Sequence, residues 1–177
     1  MPQLPKPLSA LLDDLRLLDR SGRMQFLIET GARFDAVPDR IARRPFPDDH
    51  PVPRCESEAY VWAEPLNGTL KFYFAVENLQ GVSAKAMAVI LDETLSGRPL
   101  KEITSVPSDV VFEIFGRDVS MGKGQGLIGI LDMVRGFAVS GSRRGAPAGR
   151  EHRRCWRDDP APRSRSRRAQ GERSPTR

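Results

Sequence analysis

Cys55 is the residue best suited to nucleophilic chemistry in this sequence. Four prolines stand within the ten residues before it, and prolines keep such a segment extended and outside helices. Tyr60, Val61 and Trp62 follow, and these residue types favour a β-strand. The sequence therefore predicts a thiol carried by a loop at the edge of a sheet, where it can be presented without entering a core.

The neighbours of Cys55 bear on whether this thiol reacts. A buried cysteine behaves as a small hydrophobe and is usually inert, but Arg54 and the polar residues 56–58 do not form a core environment. The thiolate is the reacting form, and nearby cations favour it. Arg54 and Lys123 are the candidate cations, whereas the glutamates at 56 and 58 oppose them.

Other cysteine chemistries lack the groups that they need. A Cys–His hydrolase requires a histidine base, and His50, five residues upstream on the same loop, is the only histidine before the C-terminal tail. A zinc or Fe–S site requires three or four ligands, and Cys55 with His50 does not reach that number. We therefore expect no metal site.

The stretch at 122–126, GKGQG, has glycines and a lysine, as phosphate-binding loops do. It lacks the spacing of a phosphate-binding loop, and no strand precedes it. We interpret its small residues as a helix start that lies close to another backbone, where Lys123 adds positive charge.

The net charge of +5 is unevenly distributed. Residues 138–177 hold 12 arginines and four acidic residues, whereas residues 1–137 hold the other 16 Lys and Arg against 19 acidic residues. We predict a folded domain over 1–137 and a disordered Arg/Ser/Pro-rich tail over 138–177. An arginine-rich arm for nucleic acid is the alternative, but the tail lacks aromatic residues interleaved for base stacking. Its abrupt start, which interrupts a helical pattern, is more typical of out-of-frame translation.

The remaining composition favours a cytoplasmic protein. Of the two cysteines, one lies in the tail, so no disulfide framework is expected. Charged residues interrupt the leucine-rich segment at 8–18, which argues against a signal peptide. No apolar run approaches the length of a membrane span.

Hydrophobic periodicity predicts the elements that position Cys55. Ser9 caps a first helix with leucines at 11, 12, 15 and 18 on one stripe, and Ser21 starts a second with Met24, Leu27 and Ile28 facing inward. Asn67-Gly68 predicts a hairpin of strands 60–66 and 69–77. Helices then follow Gly81, Pro107 and Ser120. This order predicts an α+β fold, with helices on one face of a small antiparallel sheet.

In this order of elements the chain resembles the SufE family, sulfur acceptors associated with Fe–S metabolism, over residues 8–137. Five stretches carry the resemblance: VPRCES at 52–57, the hairpin at 67–68, KAMAVIL at 85–91, LSGRPLKEI at 95–103 and KGQGL at 123–127. The fold that the resemblance implies is the one shared with IscU-type scaffolds. Many members have glycine where this chain has Arg54, and arginine where it has Lys123.

The resemblance implies a covalent carrier without a cofactor of its own, acting as partner and activator of another enzyme. A cysteine desulfurase, a PLP enzyme, would form a persulfide, and Cys55 would accept its sulfur and pass it to an Fe–S assembly scaffold. Arg54, Ser57 and Lys123 would support electrostatics or docking. Two alternatives stay open, an activator of the desulfurase that carries no sulfur and a nucleic-acid adaptor acting through the tail.

Overall fold

Two antiparallel strands carry the cysteine loop. The computed structural model describes residues 4–48 and 50–145. Strand β1, Ala59–Leu66, pairs with strand β2, Thr69–Val76, across the two-residue link Asn67-Gly68. Both linking residues have positive φ, 46° and 78°, which a two-residue hairpin turn requires. The predicted hairpin is confirmed.

Within these described residues, six helices accompany the sheet. They are α1 Lys6–Leu17, α2 Arg20–Ala32, α3 Val82–Leu95, α4 Leu100–Thr104, α5 Val110–Phe115 and α6 Met121–Gly145. Alternate residues of β2, among them Phe72 and Phe74, are buried in one core with Met87 of α3 and Leu131 of α6. The helices therefore lie on one face of the sheet, and the predicted α+β fold is confirmed.

The opposite face of the sheet is covered by a loop. Val37, Trp62 and Ala75 form a second, smaller buried cluster, against which the half-buried Ile41 and Phe46 pack. The backbone N–H of Val37 donates to the carbonyl of Phe74 at 2.8 Å. The loop thereby gives the outer face of the sheet an apolar cover of its own.

The first two helices differ in detail from the prediction. Helix α1 begins at Lys6, before Ser9, and has Pro7 in its first turn, where the missing N–H of a proline costs nothing. Helix α2 is capped by Asp19, whose carboxylate accepts the N–H of Gly22 at 2.7 Å. Its predicted inward stripe is wrong at Met24 and Ile28, which are 56% and 48% exposed.

The domain boundary predicted after residue 137 lies inside helix α6, which continues to Gly145. Ala138 is fully buried, and a Cβ on Gly141 would lie 3.2 Å from Cδ1 of Leu100. The change of composition at 138 thus does not end the helix. The prediction of a disordered tail beyond residue 145 lies outside the described residues. Within those described, no helix combines the length and apolar character that a membrane crossing demands.

A hydrogen-bonded group at the outer face of the sheet allows a pH test of this packing. Arg40 donates to both carboxylate oxygens of Glu64, at 3.1 and 3.0 Å, and the hydroxyl of Tyr73 donates at 3.0 Å. These hydrogen bonds hold the pKa of Glu64 below its usual value, and the bond from Arg40 has the largest effect. Their stabilising effect is present above the pKa of the unfolded chain, about 4.3, and is lost as the pH falls through the lower pKa of the folded state.

We therefore expect Arg40→Met to raise the pKa of Glu64, because its largest lowering hydrogen bond is lost, measured by NMR titration of the side-chain carboxyl carbon. Arg33→Met is the matched control, because Arg33 pairs with Glu93. An unchanged Glu64 pKa in Arg40→Met would contradict the assignment.

Candidate functional site

The segment before Cys55 is fixed to the edge of the sheet. The backbone N–H of Val52 donates to the carbonyl of Ala59 at 2.8 Å, and the N–H of Val61 donates to the carbonyl of His50 at 3.3 Å. The side chain of Val52 is buried. Residues 50–52 thus run beside the start of β1, as an extended segment after a proline-rich loop can.

The end of the loop is fixed to the exit of the hairpin. The N–H of Glu77 donates to the carbonyl of Glu58 at 3.2 Å, and the N–H of Asn78 donates to the carbonyl of Ser57 at 3.3 Å. Both ends of the loop at 53–58 are therefore attached to the same hairpin, which limits how far the loop can move.

Cys55 lies between two tight turns. Its own N–H donates to the carbonyl of Val52 at 3.4 Å, and its carbonyl accepts the N–H of Glu58 at 3.1 Å. Arg54 and Glu58 have φ values of 57° and 47°, in the left-handed region that most side chains avoid. A glycine at the position of Arg54 would adopt this φ without strain.

Helix α6 lies directly against the cysteine loop because two of its residues have no side chain. A Cβ on Gly126 would lie 3.3 Å from Cα and 3.5 Å from Sγ of Cys55. A Cβ on Gly129 would lie 2.8 Å from Cγ1 of Val52 and 3.2 Å from the carbonyl oxygen of Pro53. This is the close backbone approach expected of the glycine-rich stretch. Cys55 is left half-buried against the main core, with its thiol reduced.

A cleft of about 230 Å³ opens beside the thiol, and we call it the Cys55 cleft. Three segments line it: residues 55–57 of the loop, the turn and first residues of α3 at 78, 80, 81, 83 and 84, and the first two turns of α6 at 122, 123, 126 and 127. Ser57 and Lys123 lie here with Cys55. Arg54 is exposed and does not line the cleft. The structure thus brings together three of the four predicted site residues.

The backbone around the Cys55 cleft favours an anion. Helix α3 begins at Val82 and helix α6 at Met121, and the first turns of both lie on the cleft. The N-terminus of a helix carries a partial positive charge, and Lys123 adds a full one. Glu56 opposes them, since its Oε1 lies only 3.0 Å from where a Cβ on Gly122 would be.

His50 does not belong to this site. Its Nδ1 lies 3.1 Å from the carbonyl oxygen of Val61, and its ring packs near Trp62 and Phe137. It is not among the residues that line the Cys55 cleft. Within residues 4–48 and 50–145, His, Cys, Asp and Glu side chains form no group of three that could hold a metal ion.

The sequence did not indicate the side of the cleft formed by the turn into α3. Asn78 accepts the N–H of Gln80 at 2.9 Å through its side-chain oxygen, and a Cβ on Gly81 would lie 3.1 Å from Cβ of Ser57. The asparagine-to-glycine turn is visible as a helix-start signal. Its contact with the cysteine loop depends on the hairpin, which brings positions 57 and 78 together.

We expect Gly126→Ala to push the cysteine loop away from α6, because the new Cβ meets the backbone of Cys55 at 3.3 Å. The thiol should become more exposed, and its alkylation by iodoacetamide several-fold faster. Gly136→Ala in the same helix is the matched control, since a Cβ there meets nothing within 4 Å. The control should gain up to about 1 kcal/mol of helix stability with unchanged alkylation, and equal rates in both variants would contradict the contact.

The left-handed backbone at residue 54 gives a second test. An ordinary side chain in this conformation costs roughly 1–2 kcal/mol, and a β-branched one more. Arg54→Gly should therefore be at least about 1 kcal/mol more stable than Arg54→Val, measured by urea unfolding. At Arg43, exposed and without a positive φ, the same pair should show no such advantage for glycine.

Comparison with known proteins agrees with the fold and the resemblance. A solved structure similar to this chain is the solution structure of a hypothetical protein from Thermus thermophilus, with a TM-score of 0.64 and 23% sequence identity over 80% of this chain and 99% of that chain. At this identity the likeness concerns the fold alone. No curated protein matches the chain. The family model described as SufE, Fe-S metabolism associated domain, matches residues 9–138, and the chain therefore belongs to the SufE family.

Proposed function

We propose that this protein accepts sulfur from a cysteine desulfurase as a persulfide on Cys55, accelerates that enzyme, and passes the sulfur to an Fe–S assembly scaffold. The observation that carries the proposal is a half-buried thiol in a doubly anchored loop beside an open cleft, in a chain of a family associated with Fe–S metabolism.

The anchored loop suits a thiol that must meet the active site of another protein. Its ends are hydrogen-bonded to the hairpin, while the residues on either side of Cys55, Arg54 and Glu56, are exposed. Such a loop limits the conformational entropy lost on docking. The cysteine nevertheless stays close enough to the surface to be reached.

The transfer needs only a thiol and a persulfide. The Cys55 thiolate attacks the outer sulfur of the persulfide R–S–SH on the desulfurase cysteine. A new S–S bond forms at Cys55, the old S–S bond breaks, and the desulfurase cysteine leaves as a thiolate. The step consumes no oxidant or reductant, and it returns the desulfurase cysteine for its next turnover. Removal of the bound sulfur would thus accelerate the desulfurase.

The Cys55 cleft would stabilise the product. A persulfide that ionises places its negative charge on the terminal sulfur, one bond beyond Sγ. Ser57, Ser83, Lys123 and the first turns of α3 and α6 all line the space next to it. Hydrogen-bond donors and helix N-termini favour an anion. These groups would hold the sulfur until a scaffold receives it.

The decisive experiment incubates the protein with a cysteine desulfurase and cysteine. We expect mass spectrometry of the Cys55 peptide to show one added sulfur atom that a reducing agent removes. Cys55→Ser should show no added sulfur, and desulfurase turnover should fall to the rate measured without this protein. Cys155→Ser is the matched control, because Cys155 is the second of the two cysteines and its loss should change neither result.

Two outcomes would overturn the proposal. Stimulation by Cys55→Ser equal to that by the wild type would indicate an activator that carries no sulfur. A wild-type Cys55 peptide without added mass, under conditions in which the desulfurase itself carries a persulfide, would exclude sulfur acceptance.

A further inference from the structure

A second concave surface adjoins the Cys55 cleft. It lies between helix α2 and the turn that joins α5 to α6, with a volume of about 620 Å³, and we call it the α2–α6 groove. Ser83 and Lys123 line both the groove and the Cys55 cleft. A molecule bound in the groove can therefore extend to the thiol without leaving the surface.

The floor of the α2–α6 groove is apolar. Met24, one of the two α2 residues that fail to face the core, is 56% exposed, and Leu18 is 38% exposed. The residues that form the floor are Leu18, Met24, Leu27, Phe112, Phe115 and Val119. An exposed methionine beside aromatic rings provides an adaptable apolar surface, of the kind that binds partner segments.

The rim of the groove is cationic. Arg20, Arg23, Arg117 and Lys123 line it, and Asp118 is the only acidic residue among the lining residues. Asp118 faces Arg20 at 3.5 Å, in an exposed pair, which leaves an excess of positive charge. The body of the chain has more acidic than basic residues, so this excess is local to the groove.

We propose that the α2–α6 groove binds an acidic, amphipathic segment of the desulfurase, next to the cysteine that carries the persulfide. This inference rests on the proposed function, since it names the surface that the sulfur donor contacts. Apolar side chains of the segment would enter the floor, and its carboxylates would meet the arginines. Opposite charges guide such encounters and fix the register of the bound segment.

Charge complementarity favours an acidic partner segment, rather than the chain's own C-terminal segment, as the ligand of the groove. Residues 146–177 contain ten arginines and four acidic residues, so their net charge has the same sign as the rim. Like charges placed together at an interface disfavour association. The groove therefore favours an acidic partner over this segment.

The test uses three exposed positions that leave the core and the Cys55 cleft intact. The double variant Arg20→Glu/Arg117→Glu reverses the charge of the rim, and Met24→Gln removes the apolar anchor. Lys101→Glu is the matched control, because Lys101 is exposed on α4 and does not line the groove. Arg23 is left unchanged, since it donates to the backbone carbonyls of Leu15 and Glu113 and supports the fold.

The readout is the KM for this protein in desulfurase turnover with cysteine. We expect the double reversal to raise KM about tenfold or more, equivalent to at least about 1.4 kcal/mol, and Met24→Gln to raise it several-fold. Lys101→Glu should leave it unchanged. Added salt should reduce the difference in KM between the wild type and the double reversal, because salt screens exposed charges. Alkylation of Cys55 by iodoacetamide, a neutral reagent that needs no docking, should keep its wild-type rate in all variants.

The outcomes distinguish this inference from the proposed function. If the wild type accepts sulfur and both groove variants retain its KM, the groove does not bind the desulfurase and the inference is wrong. If the wild type itself accepts no sulfur, the proposed function has failed. A dimer of the wild type that the groove variants dissociate, seen by analytical ultracentrifugation, would assign the groove to a second copy and overturn the inference.

Discussion

The first two turns of helix α6 lie against the backbone of the cysteine loop, and this contact determines where the thiol can be. A side chain at Gly126 or Gly129 would meet the backbone of Cys55 or the side chain of Val52 at 3.3 and 2.8 Å. Because both positions are glycine, helix α6 packs against one side of the loop, and the hairpin holds the other side. Cys55 is thus half-buried without being locked in the core. Protein interiors are packed so densely that one added methyl group disturbs the neighbouring atoms. The position of the thiol therefore depends on the absence of two side chains.

Hydrogen bonds at both ends of the cysteine loop explain why it tolerates a strained backbone. Arg54 and Glu58 both have positive φ, and each such residue costs free energy that surrounding contacts must offset. Hydrogen bonds to the strand edge and to residues 77 and 78 provide that restraint. The two left-handed residues fold the chain back on either side of Cys55, so the loop stays compact and its cysteine faces the first turns of α3 and α6.

What the sequence predicts correctly here is mainly local. The Asn67-Gly68 turn and the start of α3 after Gly81 rest on backbone preferences of a few residues, and both are present. Burial on α2 was predicted less well, because a helical stripe indicates an apolar face but not whether a neighbouring element covers it. At Met24 and Ile28 none does so fully. The boundary predicted from composition at residue 138 falls inside α6, because the backbone hydrogen bonds of a helix do not depend on side-chain type and Ala138 is buried. The cysteine loop was found from residue type, but the turn at 78–81 enters the site only through the pairing of β1 with β2.

The Cys55 cleft is large enough for the reacting sulfur atoms but too small to recognise a protein partner. At about 230 Å³ it is smaller than the roughly 300–1,000 Å³ of pockets that enclose drug-sized ligands, and it can take the few atoms of a persulfide but not a folded segment of protein. Sulfur transfer by thiolate attack is the same for any accessible persulfide, so a cleft of this size discriminates poorly between donors. Discrimination must then come from surface outside the cleft. The α2–α6 groove is larger, apolar at its floor and cationic at its rim, and it shares Ser83 and Lys123 with the cleft. Under the proposed function, a partner that fits this groove would bring its sulfur to Cys55, whereas one that does not fit would not hold its sulfur there long enough to react.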